Sequence, residues 1–548
     1  MAGLVATALL VIPAPKAEAQ QATPAVRVSV RSLESLESWI DKVVTPFSED
    51  ASKALFSAIY NGLGITDPSL IDRTKPWDVA LWFERFGASP SISLRLPVKS
   101  MEDFRESLTD ESLLLPTNEE SSIREIDGYG VFLASFTPLT DSMQAAEKAW
   151  KPASVMDVFT SPDETVIIGL QMTETLRSSL QQLLGFSRKM MMQTFEAMGG
   201  EKNNREAQAP TPVPFNPVDM AGIMGIYFDI LHNVVGDLEA MQLGLGSDGQ
   251  DLVNRFHWSP LEGSDTAQCF AAPEGSVDQL LQYLPPGRSG YFAARVSFPA
   301  EFLPTVARFM DISMKAQGLE MSEEDMKHLM DMIAGFLDYN AAGFIDMQKG
   351  MKFGMAYDFE RPAEETMKAF MDYYQSPGFS AIAGDDKFFK SVSIKEKSVS
   401  RSGDRPALEA QSISMKINMD SPLFQLPVQR EMMTAMYGGD EIYYEIAVDD
   451  GHLLYTMNTG LEELHKGTGP DASLPIESNT ILSFRADGLK LLRGALQSHE
   501  SLNEKLESLN ISSAGISMHT VADGELKSTL RLSENWLRIL SAFLPASP

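Results

Sequence analysis

The sequence predicts an α+β protein of two tandem pseudo-repeats, each a largely antiparallel sheet with packed helices. Three observations carry that expectation. Short alternating apolar segments run directly into stripes of helical period. The same succession of segments recurs in the same order in both halves of the chain. The 548 residues also exceed what one ordinary core organises, while 44% hydrophobic and 22% charged residues give a globular balance.

The first copy is expected over residues 26–270. Val28-Ser29-Val30 reads as a strand entering a helix with its stripe at Leu33, Leu36, Trp39, Ile40 and Val43. Val79 to Phe83 and Ile92 to Leu96 flank a turn near Gly87 and lead to a helix through Met101, Phe104 and Leu108. Met156 to Phe159, Asp163 and Val166 to Gly169 read as strand, turn and strand, followed by a helix through Leu176, Leu180 and Leu183. Residues 200–218 place Pro210, Pro212, Pro214 and Pro217 among Asn203, Asn204, Glu206 and Gln208, which predicts an inserted extended linker. The copy closes on a hairpin, Leu243 to Leu245 and Leu252 to Phe256 around Asp248-Gly249.

The second copy is expected over 284–548 and repeats those words. Ala294 to Phe298 leads into Phe302, Leu303, Val306 and Phe309; Gly343 to Met347 and Met351 to Phe359 lead to a helix through Met367, Phe370 and Met371. Tyr443 to Ala447, Asp450 and Leu453 to Thr456 answer the segment around Asp163, and Ile481, Asp487, Leu489 and Leu492 answer Ile223, Asp229, Leu231 and Val234. A closing hairpin surrounds Asp523-Gly524. The opening of this copy, Leu284-Pro285-Pro286-Gly287 followed by Tyr291-Phe292-Ala293-Ala294, resembles that of uncharacterised exported bacterial proteins classed as domains of unknown function. The resemblance implies a duplicated α+β envelope protein of unassigned activity and supplies no site residues.

Charge narrows the partners. With 45 Lys and Arg against 75 Asp and Glu, the net charge of −30 repels a phosphate backbone, so no nucleic-acid partner is expected. Residues 1–19 read as a signal peptide: an apolar run from Leu4 to Val11, a break at Pro13 and Pro15, and Ala17-Glu18-Ala19 at the cleavage position, although no basic residue precedes the run. Beyond it no uncharged stretch reaches membrane-spanning length; Met220 to Val235 carries Asp229 and His232. An exported protein, periplasmic or extracellular, without a transmembrane segment in its mature chain is expected. Cys269 stands alone, which removes an intramolecular disulfide and a cysteine zinc cluster.

No motif supplies catalytic, cofactor-binding or metal-ligating residues. Gly244-Leu245-Gly246-Ser247-Asp248-Gly249 fits a dinucleotide-binding pattern, but a strand rather than a helix follows, so Asp248-Gly249 reads as a hairpin turn. His232, His257, His328, His452, His465, His499 and His519 show no metal-ligand spacing, and Asp385-Asp386 and Asp449-Asp450-Gly451 read as turns. The 30 methionines are the least ordinary feature. After an N-cap at Ser322, Met326, Leu329, Met330, Ile333, Phe336 and Leu337 share one helical face, and methionine both fills core gaps and forms adaptable apolar grooves. Met326, Met330, Ile333, Phe336 and Leu337 are therefore the candidate lining of an apolar groove. The expected function is a non-catalytic exported binding or structural protein that takes a lipid, another apolar ligand or a partner protein. The alternative is an envelope hydrolase whose residues converge only in space.

Overall fold

A computed structural model describes residues 24–543 apart from 47–50, 63–64, 84–90, 109–121, 135–149, 152, 202–216, 272–273, 301–302, 317–320, 348–349, 381–382, 385–388, 402–405, 422–426, 465–468, 471–473 and 497–498. The leader at 1–19, the turn near Gly87, the centre of the proline-rich segment, Phe302, Asp385-Asp386 and His465 lie outside the described residues. The fold is α+β with antiparallel strand pairing, divided into two compact units. Unit 1 comprises Met1–Phe186, Leu231–Ala267 and Glu525–Pro548; unit 2 comprises Ser187–Ile230 and Gln268–Gly524. This division departs from a single cut between residues 270 and 284 at the central helices and at the C-terminal end.

Unit 1 begins with β1 (Val26–Val30), β2 (Trp77–Trp82), β3 (Ser91–Pro97), β4 (Ser122–Ile126), β5 (Tyr129–Ala134), β6 (Glu164–Gln171), β7 (Leu238–Asp248) and β8 (Asp251–Pro260). They pair in the order β4-β5-β3-β2-β1-β6-β7-β8. Alternation divides the sheet into two chemically different faces. Val28, Val30, Trp77, Val79, Leu94, Leu96, Phe132 and Val166 pack beneath α1 (Leu33–Val44), α2 (Ala51–Gly62) and α3 (Met101–Ser107). The intervening residues Arg27, Ser29, Asp78 and Arg95 form a polar patch on the opposite face, beside the buried Ala80, Trp82 and Leu133. The α1 helix starts where the Ser32 hydroxyl accepts from the Ser35 amide at 3.0 Å, and it buries the expected Leu33, Leu36 and Ile40. Two further helices, α4 (Glu174–Glu201) and α5 (Pro217–Asp237), each have residues assigned to both units. Proline at the first position of α5 loses no helical bond, because that N–H has no acceptor within the helix.

Unit 2 contains β9 (Gly290–Ser297), β10 (Asp338–Asp346), β11 (Lys352–Phe359), β12 (Phe389–Val399), β13 (Leu408–Ile417), β14 (Glu441–Asp449), β15 (His452–Met457), β16 (Thr480–Asp487) and β17 (Gly515–Ala522). Their order is β12-β13-β14-β15-β11-β10-β9-β16-β17. Here both faces are apolar. Ala341, Tyr357, Phe359, Ile413, Ile446 and Leu453 pack beneath α6 (Leu303–Ala316), α7 (Glu323–Ala334) and α8 (Ala363–Tyr374). Tyr291, Ala342, Phe344, Ala356, Ala447 and Leu454 pack beneath the segment of Leu280, Tyr283 and Leu284 and beneath Leu461 and Leu464. Two aromatic rings lie over cross-strand glycines, Phe292 opposite Gly343 and Phe344 opposite Gly354. The last strand, β18 (Leu526–Leu532), belongs to unit 1, where it pairs with β8.

Two local expectations need correction. Met156 to Phe159 is no strand: a short helix, Ala153–Met156, ends there and the chain turns. Ile223 to Val234 lies wholly within α5, whereas Ile481 is in β16, so that correspondence set a helix against a strand. In both cases short apolar runs were compatible with either period, and packing decided between them.

Candidate functional site

Of the predicted methionine-rich face, Met326, Leu329, Met330 and Ile333 lie on α7, whereas Phe336 and Leu337 follow its end at Ala334. The α7 helix opens on a capping box: the Ser322 hydroxyl accepts from the Asp325 amide, and the Asp325 carboxylate accepts from the Ser322 amide. Leu329 is fully buried, and Met326, Ile333 and Phe336 pack partly buried against the same core. Met330 and Leu337 are half-buried, and the Leu337 carbonyl accepts from Phe298 N–H at 2.7 Å.

Aromatic side chains from other elements fill the space below that face. Phe336 makes edge-on contacts with Tyr339, Tyr357, Phe359 and Phe370, with ring centroids 5.3–6.0 Å apart. Tyr444 and Tyr455 stack at 5.5 Å in the same cluster. Burial pushes the phenols of Tyr357, Tyr374 and Tyr455 far up and that of Tyr444 up to about 12, so they stay protonated at neutral pH. Methionine finds a specific use here, since the Tyr357 hydroxyl donates to the Met355 sulfur at 3.0 Å. Met326, Ile333 and Phe336 of the five candidate residues thus pack on an aromatic core.

Among the described residues, apolar side chains are also exposed on α4 and α5. Within unit 2, one side of α5 packs on α6: a Cβ at Gly222 would lie 3.1 Å from Ile312, and Tyr227 meets Phe309 at 6.3 Å. Ile226 is buried, while Met190 and Tyr227 are each 50% exposed and Ile230 is 40% exposed. Arg188 and Asp229 form an ion pair at 3.0 Å beside them.

The polar face of unit 1 is the other concentration of chemistry, and no sequence motif announced it. The buried Asp78 carboxylate accepts from Arg27 at 2.7 Å and Arg95 at 3.0 Å. Arg95 lies against Trp82 and Trp150, 5.6 and 4.8 Å from their ring centres. Toward β8, Ser259 Oγ lies 3.2 Å and Glu525 Oε2 lies 2.9 Å from the same His257 Nε2. A nucleophile–base–carboxylate relay needs the hydroxyl on one ring nitrogen and the carboxylate on the other. Here both compete for one nitrogen, which makes a hydrogen-bonded clasp between β8 and the residue before β18. The one signal in sequence was alternation: Arg27-x-Ser29 and His257-x-Ser259 each put polar side chains on a single face.

The glycine motif resolves into three packing demands. A Cβ at Gly244 would lie 2.7 Å from the buried Glu164 carboxylate, one at Gly246 would lie 1.9 Å from the Asp163 carbonyl, and Gly249 turns the β7–β8 hairpin with φ +61°. The hairpin reading stands, and no helix N-terminus follows for a phosphate to occupy. Cys269 ends a short helix, Asp265–Cys269, half-buried. Among the described residues no three His, Cys, Asp or Glu side chains group as metal ligands, and no helix is long and apolar enough to cross a membrane. No protein-family profile, curated protein or solved structure matches the chain.

Proposed function

We propose that this chain is a non-catalytic exported binding protein that holds a partner protein on the outward apolar surface of α4 and α5. The observation that carries the reading is the exposure of Met190 on α4 and of Ile230 on α5, together with Tyr227, which stays half exposed although its ring meets Phe309 of α6. Exposed apolar residues grouped in this way mark interaction surfaces, and tyrosine, methionine and arginine are the types enriched in them. A partner protein suits this surface better than an acyl chain, because the residues sit on helix exteriors and enclose nothing. The shared nitrogen of His257 weighs against the hydrolase alternative.

The test is an Ile230→Asp, Tyr227→Asp double variant expressed in its own envelope, with complexes compared by native mass spectrometry. Loss of a stoichiometric partner, with an unchanged circular dichroism spectrum, is expected. An unchanged complex, or recovery of bound lipid alone, would refute the assignment.

We further propose that the two halves of the chain descend from one duplicated unit. The strand orders β5-β3-β2-β1-β6-β7 and β15-β11-β10-β9-β16-β17 support this, as do two helices after β1 and β9 and a helix directly after β3 and β11. Asp127-Gly128 and Asp450-Gly451 turn the neighbouring hairpins with φ of 50°, 78°, 51° and 82°. On this reading Asp450 answers Asp127 rather than Asp163, and the β12–β13 hairpin is an insertion in the second copy. Failure of those six strand pairs to superpose in order would remove it.

A further inference from the structure

We propose that unit 1 binds a small, uncharged, hydroxyl-rich molecule of saccharide type in the cavity on the polar face of its sheet. The cavity, open on one side, has a volume of about 430 Å³ over β1, β6, β7 and β8, within the range of small-molecule sites. At its wall lies the Ser29 hydroxyl, 1% exposed, whose oxygen has no hydrogen-bond partner. A buried hydroxyl left unpaired is destabilising, and a ligand hydroxyl would satisfy it as both donor and acceptor.

The cationic groups around the cavity are already engaged, which leaves no free positive charge among its described residues to hold an anionic ligand. Arg27 is held by Asp78 at 2.7 Å and by the Ser154 carbonyl at 3.2 Å, and His257 faces Glu525 at 2.9 Å. Asp157 also lines the cavity and disfavours an anion. Gln242 donates its amide to the Val158 carbonyl at 3.0 Å, which fixes the side chain and turns its amide oxygen to the role of acceptor. Ile167, directly opposite Ser29, supplies an apolar floor for the C–H face of a sugar ring. Gly169 leaves that floor open: a Cβ there would meet only the Arg27 carbonyl, at 3.9 Å, so a larger side chain fits the backbone and fills the cavity instead.

Isothermal titration calorimetry of the full chain tests this with glucose, N-acetylglucosamine and their β-1,4-linked dimers, against glycine and inorganic phosphate. Saturable binding of at least one saccharide and of neither charged probe is expected. Ser29→Ala should weaken it about fivefold, the effect of one neutral hydrogen bond. Gly169→Val should abolish it while the thermal unfolding midpoint stays within about 2 °C of the wild type, a shift of under about 1 kcal/mol. Absence of saccharide binding up to about 10 mM, preference for phosphate or glycine, or undiminished binding by Gly169→Val would each overturn the proposal. These outcomes are independent of the helical surface, which none of the variants touches.

Discussion

Replacing Gly354 with alanine probes whether the aromatic rings over cross-strand glycines organise unit 2. Gly354 in β11 stands opposite Phe344 in β10, and an added Cβ would lie 2.5 Å from Phe344 Cε1 and 3.0 Å from Leu464 Cδ2. Neither side chain has room to yield, because both are fully buried and the Arg288 guanidinium lies 4.8 Å from the Phe344 ring centre. Overpacking of this kind costs about 1–3 kcal/mol, and the smaller entropy of the unfolded alanine chain offsets up to about 1 kcal/mol. A net loss of about 1–2 kcal/mol corresponds to a fall in Tm of about 2–8 °C for a unit of this size. The assay is calorimetric unfolding with tryptophan fluorescence in parallel. All 6 tryptophans, Trp39, Trp77, Trp82, Trp150, Trp258 and Trp536, lie in unit 1, so fluorescence supplies an internal reference. Gly515→Ala is the control, since a Cβ there meets nothing within 4 Å. Adding Phe344→Leu to Gly354→Ala should recover part of the loss through a coupling of about 0.5–3 kcal/mol. Equal midpoints for wild type and Gly354→Ala, or equal losses for both glycine variants, would refute the reasoning.

Asp325 tests the pH dependence of unit 2. The Ser322 hydroxyl, at 2.6 Å, and then the Gly378 amide, at 2.9 Å, hold its carboxyl below the usual range, so its stabilisation is present above about pH 4 and is lost as pH falls through the folded-state value. Asp325→Ala should therefore cost about 1–2 kcal/mol at neutral pH, with the deficit narrowing as pH falls below the usual carboxylate range; a deficit constant with pH in urea titrations would contradict this. In unit 1, Asp78→Ala removes the carboxylate shared by Arg27 and Arg95 and should cost about 3 kcal/mol or more. Urea unfolding followed through the neighbouring Trp82 and Trp150 measures it, and a loss below that of Arg27→Ala would count against a central role for Asp78.

Local features were legible in the sequence because local forces make them. The Leu33, Leu36 and Ile40 stripe, the Ser322 cap and the Asp248-Gly249 turn each depend on residues within a few positions of one another, and each stands in the structure. The α+β class follows from the same periodicities. The candidate groove shows the limit: Met326, Ile333 and Phe336 do pack on one core, but Tyr357, Phe359 and Phe370, which occupy the space beneath them, come from β11 and α8. The polar face of unit 1 was hidden for a related reason, since Asp78 joins Arg27 to Arg95 only after three strands have paired.

By itself, then, the sequence determined the alternation of strands and helices, the acidic surface charge and the turn chemistry. Tertiary structure alone decided the strand order, the return of β18 to pair with β8, and the clasp of His257 with Glu525. Those pairings join residues hundreds of positions apart, and hydrogen-bonding partners at that distance leave no period or spacing along the chain. They exist because a strand edge must satisfy its backbone groups, and only the folded chain determines which other edge is within reach.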